Sequence, residues 1–356
     1  MNTPHADDGT GWTDRADDTN TIDMLVERVL TQQQAIASSA LTNLGGRIDR
    51  AQHQKQLLGA FGILRLAETI PTAVRAGPFM ERDATGHPVA YRVACRFSNG
   101  QPCPFADTAP DVRGVALKFF TADGIETDLL MTNEGGRSHA RNATQFMAVA
   151  DILVAKLAHG LADASGKTLH ELSSGELGAG DAARALAILV KETTLHKAAS
   201  LATEHYWGSV VQLGDAAIKY VLTPHDSSVA GTVGNRHEDD YLREDVIARL
   251  ERGPVRWQLG VQLFIDEERT PVNDASVAWQ APLVQVGVLE IPSPPSNADE
   301  TIINQLAFNP ANGFRPLGIT HARKDVYAAS AANRKDRGLL SSEAAREALR
   351  SRPIPD

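Results

Sequence analysis

The pattern of apolar and polar positions divides the chain into helical and strand-like blocks. Apolar residues three and four apart run through "IDMLVERVL" and "QKQLLGAFGILRLAETI", and Pro71 ends this pattern. The spacing predicts helices over about 22–70. Residues 143–206 are Ala- and Leu-rich and predict further helices, as do residues 299–350, which follow the Pro-rich "PSPPS".

Two blocks between these helices are rich in β-branched and aromatic residues. The first, about 88–132, contains "VAYRVACRFS" and "GVALKFFTADGIETDLLMT", in which Asp-Gly supplies a turn. The second, about 208–292, contains "AAIKYVLTP", "RWQLGVQLFI" and "LVQVGVLEIP". Strands in two blocks, with helices between and after them, predict an α+β fold with an antiparallel sheet or barrel. Neither GxGxxG nor GxxxxGK[ST] occurs, which argues against a nucleotide-binding fold.

Composition and the first residues of the chain limit the cellular location and the partners that we expect for the protein. Residues 1–20 are polar and acidic, which predicts a disordered arm before one domain over about 21–350. This start lacks a basic and apolar leader, and Cys95 and Cys103 lack CxxC spacing, so we expect a cytoplasmic protein with structural thiols. The net charge of −9 argues against nucleic acid as a partner, and no apolar run is long enough for a membrane span.

One helical stretch carries candidate chemistry. In "RKDVYAASAANR", Arg323 precedes Tyr327 by four residues and Arg334 follows it by seven, so the three share one helix face. A neighbouring cation favours the phenolate, a hard anionic oxygen ligand suited to Fe(III). Arg334 has the geometry to bind a carboxylate in bidentate fashion. A surface helix with an ordinary half-buried tyrosine is the alternative that this stretch alone leaves open.

Four separated stretches, in the same order, resemble segments of the catalase superfamily. The resemblance covers roughly residues 60–334 and implies a catalase-like antiparallel β-barrel, with inserted and C-terminal helices, that binds heme b. The stretches are "YRVACRFSN"; "DVRGVALKFFTADGIETDLLMTN"; "RWQLGVQLFIDEERTPVNDASVAW" with "VQVGVLEIP"; and "INQLAFNPANGFRPLG", followed by the Arg-x-x-x-Tyr helix.

The resemblance implies roles for single residues. Tyr327 would be the iron ligand below the heme, and Arg323 the partner that keeps it ionised. Arg96 and Arg334 would pair with heme propionates.

Three further positions follow from the same resemblance. Ser98 would support the distal side of the heme, Asn133 would be the distal asparagine, and Phe146 would stack near the heme edge. Taken alone, Arg96 and Ser98 are also compatible with a hydrated strand face, and Asn133 with a turn.

One expected residue is missing from the stretch that we aligned with the family. Members carry a distal histidine before the first barrel strand, and "ETIPTAVRAGPFMERD" offers only Ala76 or Val74 there. Because cleavage of H2O2 needs a base that moves its proton, this loss predicts little or no catalase activity. Arg75 and His139 are candidates to compensate, although His139 is also compatible with a loop residue bonded to backbone.

These observations favour a heme b-dependent oxidoreductase that reacts with peroxide or an organic hydroperoxide, as a peroxidase or a hydroperoxide-rearranging enzyme. Glycines in "EGGRSHAR" leave room for a larger substrate. The alternative is a heme-binding protein without turnover, for storage, sensing or ligand capture. A third possibility is a scaffold without heme that acts as an interaction domain. The family resemblance also implies a possible homo-oligomer.

Overall fold

The computed structural model describes residues 11–42, 44–159, 198–226, 236–334 and 338–352, together with 166, 167, 170 and 180. Across these residues, eight long strands form one antiparallel sheet: β1 Gln56–Leu66, β2 Ala90–Asn99, β3 Arg113–Phe120, β4 Glu126–Thr132, β5 Tyr206–Leu213, β6 Ala216–Pro224, β7 Val255–Leu263 and β8 Leu283–Ile291. Their order is β4, β3, β2, β1, β8, β7, β6, β5, and pairing of β4 with β5 closes the barrel. The two-residue strand β9, Arg315–Pro316, adds to β5.

Aromatic side chains from distant strands meet in the barrel core. The Phe97 ring on β2 lies 5.4 Å from that of Trp257 on β7 and 6.0 Å from that of Tyr206 on β5. All three residues are fully buried, and each removes a large apolar area from water. The predicted Asp-Gly turn joins β3 to β4, where Gly124 has a φ of 86°. The α+β barrel predicted from the sequence is therefore confirmed.

Helices cover the barrel and complete the fold. They are α1 Thr19–Ser38, α2 Ala143–His159, α3 Tyr241–Leu250, α4 Asn297–Asn304, α5 Thr320–Asn333 and α6 Ser342–Arg350. Leu25 of α1, Met147 and Val154 of α2, and Ala322 of α5 belong to one buried apolar cluster, so these three helices pack together beside the barrel. Among the described residues, no helix combines the length and the apolar character needed to cross a membrane.

The helix predicted over 22–70 is wrong in its second half. Helix α1 ends at Ser38, and Gln56–Leu66 is strand β1, which pairs with β2 and β8. The run "QLLGAFGILRL" is buried along nearly its whole length, so its continuous apolar pattern fits a buried strand as well as a helix. Helix α3, inside the second strand block, was not predicted. In the predicted block 143–206, α2 is helical, residues 198–205 are irregular with one turn at 201–203, and most of the remainder lies outside the described residues.

The predicted disordered arm is wrong for the part that the structure describes. Residues 1–10 lie outside the described residues. Trp12 is buried and packs edge-on against Phe264, with ring centroids 5.7 Å apart. Asp14 accepts a hydrogen bond from the Gly318 amide (3.0 Å) and lies 2.8 Å from Nε2 of His321. Trp12 therefore holds this polar segment against Phe264, and Asp14 holds it against the start of α5.

Candidate functional site

A cavity of about 260 Å³ lies between one side of the barrel and the helices α1, α2 and α5. Strands β2 to β6 provide one wall, and the segment that precedes β1 provides another. The helices add an apolar lining that includes Val29, Met147 and Val154. The residues predicted from the sequence that line this cavity are Arg96, Ser98, His139, Phe146, Arg323, Tyr327 and Arg334.

Helix α5 brings Tyr327 and two arginines to the cavity. Tyr327 is partly exposed and lines the cavity together with Arg323, as the four-residue spacing predicts. The Arg323 guanidinium donates a hydrogen bond to the Ser209 hydroxyl and lies over the Phe146 ring, 5.1 Å from its centroid. Within the described part of the chain, no hydrogen bond joins Arg323 to Tyr327.

Two buried arginines, Arg96 on β2 and Arg334 at the end of α5, line the same cavity. Nε of Arg334 lies 3.7 Å from the Asp49 carboxylate. Burial, together with the charge of Arg334, lowers the pKa of Arg96 to about 9, although Asp49 opposes this shift. Nε of Arg96 is buried and has no hydrogen-bond partner in the described structure. An anionic group in the cavity would relieve this excess of positive charge.

His53 occupies the cavity wall just before β1, and the sequence analysis did not identify it. Its backbone has a φ of 56°, which is unusual for a residue other than glycine. Nδ1 of its ring lies 3.1 Å from the Ser98 hydroxyl oxygen. Gly114 makes this position possible, because a Cβ atom there would lie 2.7 Å from Cε1 of His53. Burial lowers the pKa of His53 to about 4, and the positive charge of Arg96 acts in the same direction, so the ring is neutral at neutral pH.

The prediction that the chain lacks a histidine on this side of the site is therefore wrong. Val74 is fully buried in the barrel core, Ala76 packs against that core, and neither lines the cavity. The error follows from the assignment of β1 as a helix, because the histidine was then expected after β1 rather than just before it. The remaining signal in the sequence is a single histidine four positions before the long apolar run that begins at Leu57.

Two of the predicted catalytic residues do not line the cavity. The side chain of Asn133 accepts a hydrogen bond from the Arg113 amide (2.7 Å) and donates one to Glu204 (2.9 Å). Its neighbour Thr132 lines the cavity instead, since side chains alternate along a strand. Arg75 is exposed and donates to the carbonyl of Ile70 at 2.9 Å.

His139 does line the cavity, and it is paired with Glu134. Nδ1 of His139 lies 3.4 Å from Oε1 of Glu134, and its ring stacks on Phe146 with centroids 4.9 Å apart. Burial raises the pKa of Glu134, but contacts with His139, Thr132 and Arg323 outweigh burial and lower it, so the carboxylate is ionised. The alternative of a loop histidine bonded to backbone is not observed.

Lys219 on β6 is a further cavity residue that the sequence did not reveal. Its ammonium donates to the carbonyl oxygens of Gly136 (3.2 Å) and Val277 (3.4 Å) and lies over the Trp279 ring. Burial lowers its pKa to about 7, and the charge of Arg323 contributes. The sequence feature that could have indicated this residue is a lysine within a strand whose other residues are mostly apolar.

The donor set of the cavity suits an iron porphyrin. Tyr327 offers an oxygen ligand for Fe(III), and Arg96 and Arg334 offer cations for carboxylate groups. The unpartnered Nε of Arg96 and the apolar lining from α1 and α2 fit a flat, mostly apolar group with an anionic edge. The residues present are therefore compatible with heme.

Comparison with known proteins places the chain in a family. No family model matches the chain. The chain is 30% identical over 320 residues to a catalase-related peroxidase from Mycolicibacterium paratuberculosis, which covers 85% of this chain and 94% of that protein. It is also 29% identical over 99 residues to an allene oxide synthase-lipoxygenase protein from Plexaura homomalla, which covers 25% of this chain and 9% of that protein. With its closed barrel and a relative matched along nearly its whole length, the chain belongs to the catalase superfamily.

Proposed function

We propose that this chain is a heme b-dependent peroxidase that reacts with hydrogen peroxide or an organic hydroperoxide. The observation that carries the proposal is a single cavity that contains both Tyr327, a potential iron ligand, and His53, a neutral histidine whose orientation is fixed. The relative matched over 94% of its length is named as a peroxidase, and the second relative combines allene oxide synthase with lipoxygenase. Gly136 lines the cavity, and a Cβ atom there would lie 3.2 Å from the Trp207 ring.

Heme would be held from the side of α5. Tyr327 is the proposed metal ligand, and Arg323 lines the cavity from the same helix face. Arg96 and Arg334 are the proposed partners of the heme carboxylates. Phe146 would pack against the edge of the ring system. When bound, heme supplies the redox-active iron that exchanges electrons with peroxide.

His53 would move the proton during peroxide cleavage. A neutral imidazole accepts a proton from the peroxide oxygen that binds and returns it to the oxygen that leaves. Ser98 holds Nδ1, which leaves Nε2 for this transfer. The expectation of little or no catalase activity rested on a missing histidine, and His53 removes that basis. Asn133 and Arg75 have no role in this proposal.

An absorption spectrum tests whether the chain binds heme through Tyr327. Protein expressed with sufficient iron should show the Soret band of a ferric, tyrosinate-ligated heme, and Tyr327→Phe should lose that spectrum. Tyr91→Phe is the matched control, because Tyr91 is buried away from the cavity and its hydroxyl donates to the carbonyl of Pro78. Absence of a Soret band from the unmodified chain rejects the proposal.

Rapid mixing of the heme-loaded chain with H2O2 and with an alkyl hydroperoxide tests the activity. The rate with at least one peroxide should fall about 10²- to 10⁴-fold in His53→Gln, because general acid–base catalysis contributes that much. The exposed His87→Gln serves as control. A heme that neither peroxide perturbs would instead support a binding protein for storage, sensing or ligand capture. Oxygen release from H2O2 measures catalase activity directly.

A further inference from the structure

The cavity contains a second histidine whose surroundings differ from those of His53. His53 faces the hydroxyl of Ser98, whereas His139 faces the carboxylate of Glu134, with 3.4 Å between Nδ1 and Oε1. Both residues of the second pair are largely buried, with 12% and 13% of their side chains exposed. A histidine paired with an ionised carboxylate is a common arrangement for controlled binding or transfer of a proton.

Contacts on each side fix the orientation of this pair. The Thr132 hydroxyl donates to Oε2 of Glu134 at 2.9 Å, which leaves Oε1 for the histidine. The His139 ring stacks on Phe146, with 27° between the ring planes. Gly135 and Gly136 have φ values of 73° and 79°, and they form the turn that brings His139 back towards Glu134.

One polar atom of the pair remains without a partner. Nε2 of His139 is buried, and no described residue forms a hydrogen bond with it. Because a carboxylate accepts only, Nδ1 must carry the hydrogen that bonds Glu134, and in the neutral ring Nε2 is then an acceptor. A buried acceptor without a partner costs about 1–3 kcal/mol, so a ligand that donates a hydrogen bond to it is favoured. The lining of the cavity is mostly apolar, which selects a ligand with an apolar body.

We propose that the Glu134–His139 pair is a binding site for the O–H group of an organic substrate, with Nε2 of His139 as the acceptor. The substrate class is an apolar molecule with one acidic or polarised hydroxyl, such as an alkyl hydroperoxide or a phenol. This inference rests on the proposed function, because the substrate shares the cavity with heme. Glu134 is a positioning residue that fixes the ring, and His139 makes the contact.

Paired ligands that differ only in the hydroxyl test the site. Phenol against anisole, and tert-butyl alcohol against tert-butyl methyl ether, each compare a donor with its methylated analogue. Tert-butyl alcohol is used as an unreactive analogue of an alkyl hydroperoxide. Dissociation constants are measured calorimetrically with the heme-loaded chain and with the heme-free chain. One hydrogen bond predicts about 2- to 12-fold tighter binding of the hydroxyl compound. If the hydroxyl compound binds more tightly in just one of the two pairs, that pair identifies the substrate class.

The variants separate the hydrogen bond from the packing. His139→Phe retains the stack on Phe146 and should abolish the preference without weakening the binding of the methylated compounds. Glu134→Gln should reduce the preference, since the amide no longer fixes the ring as a carboxylate does. His53→Gln is the matched control, and it should retain the preference. Thermal unfolding followed by circular dichroism shows whether each variant is folded.

Three results would overturn the inference. These are equal binding of donor and methylated ligands to the unmodified chain, a preference that persists in His139→Phe, and loss of hydroxyl binding when heme is loaded. None of them affects the Soret band or its dependence on Tyr327, so the proposed function is judged separately. If heme does not bind, the heme-free measurements still report on His139.

Discussion

Nδ1 of His53 lies 3.1 Å from Oγ of Ser98, although 45 positions separate the two residues in the chain. The contact exists because β1 and β2 are antiparallel, which places the residues before β1 beside the end of β2. It fixes one of the two ring nitrogens and so decides which nitrogen faces the cavity. The relationship makes Ser98 a positioning residue for proton transfer.

Ser98→Ala should lower the rate of peroxide reaction about 2- to 12-fold, because one hydrogen bond of about 0.5–1.5 kcal/mol no longer orients His53. Stopped-flow mixing measures the rate. When His53 is already replaced by Ala, Ser98→Ala should change the rate less than twofold, because the effects of substitutions at two coupled residues are not additive. Equal effects in both backgrounds would show that Ser98 acts independently of His53.

Arg96 is expected to hold the main chain of His53 as well as a heme carboxylate. Its guanidinium donates to the carbonyls of His53 (2.9 Å) and Gln54 (3.2 Å), the two residues at the strained turn. Arg96→Met should therefore shift the imidazole NMR signals of His53 and lower hemin affinity. The free energy of unfolding should fall by about 1.5–3 kcal/mol for each charged hydrogen bond removed.

Arg334→Met is the matched control for Arg96, because Arg334 is also buried, lines the same cavity and has its Nε 3.7 Å from the Asp49 carboxylate. It should lower hemin affinity and leave the His53 signals in place. If both variants shift those signals equally, the main-chain role of Arg96 is wrong.

Gly114→Ala should displace His53. The added Cβ atom would lie 2.7 Å from Cε1 and 2.8 Å from Nδ1 of the ring, closer than side chains tolerate. Hemin binding should persist while the peroxide reaction slows at least tenfold. The exposed Gly166→Ala, where nothing lies within 4 Å of the added atom, provides the control. An unchanged rate in Gly114→Ala would contradict the proposed role of His53.

The stability of the heme-free chain should fall as the pH decreases from about 6.5 to about 4. His53 is neutral in the folded state because its pKa is about 4, whereas the unfolded chain binds a proton near pH 6.5. The unfolded state thus holds more protons in this window, and acidification favours it by up to about 3 kcal/mol in total. Melting curves of the parent and of His53→Gln measure the difference, which should be small above pH 7 and largest at pH 4.

The sequence allowed the barrel and part of the site to be predicted, for reasons that particular residues illustrate. Strands β2 to β4 alternate with clear turn signals such as the Asp-Gly before Ile125, and Tyr327 with Arg323 follows from helical spacing. Strand β1 has no such alternation because it is buried along most of its length. His53 was missed as a consequence, since its position has meaning only when β1 is recognised as a strand.

The pair Glu134–His139 shows a different limit of sequence analysis. The two residues are five positions apart in a loop, and no helix or strand period relates them. Their contact depends on two glycines with positive φ and on Phe146 from the following helix. His139 was predicted as a candidate from its residue type, whereas its partner could be found only from the structure.

The contacts of Asp14 with Gly318 and His321 have a consequence for biosynthesis. They connect the beginning of the described chain to the helix that carries Tyr327, across more than 300 positions. A ribosome-bound chain has produced His53 and Ser98 long before Tyr327 and Arg334 are translated. Heme capture by the route proposed above therefore cannot be complete before Tyr327 and Arg334 have been translated, and the early segment docks only after the start of α5 has been made.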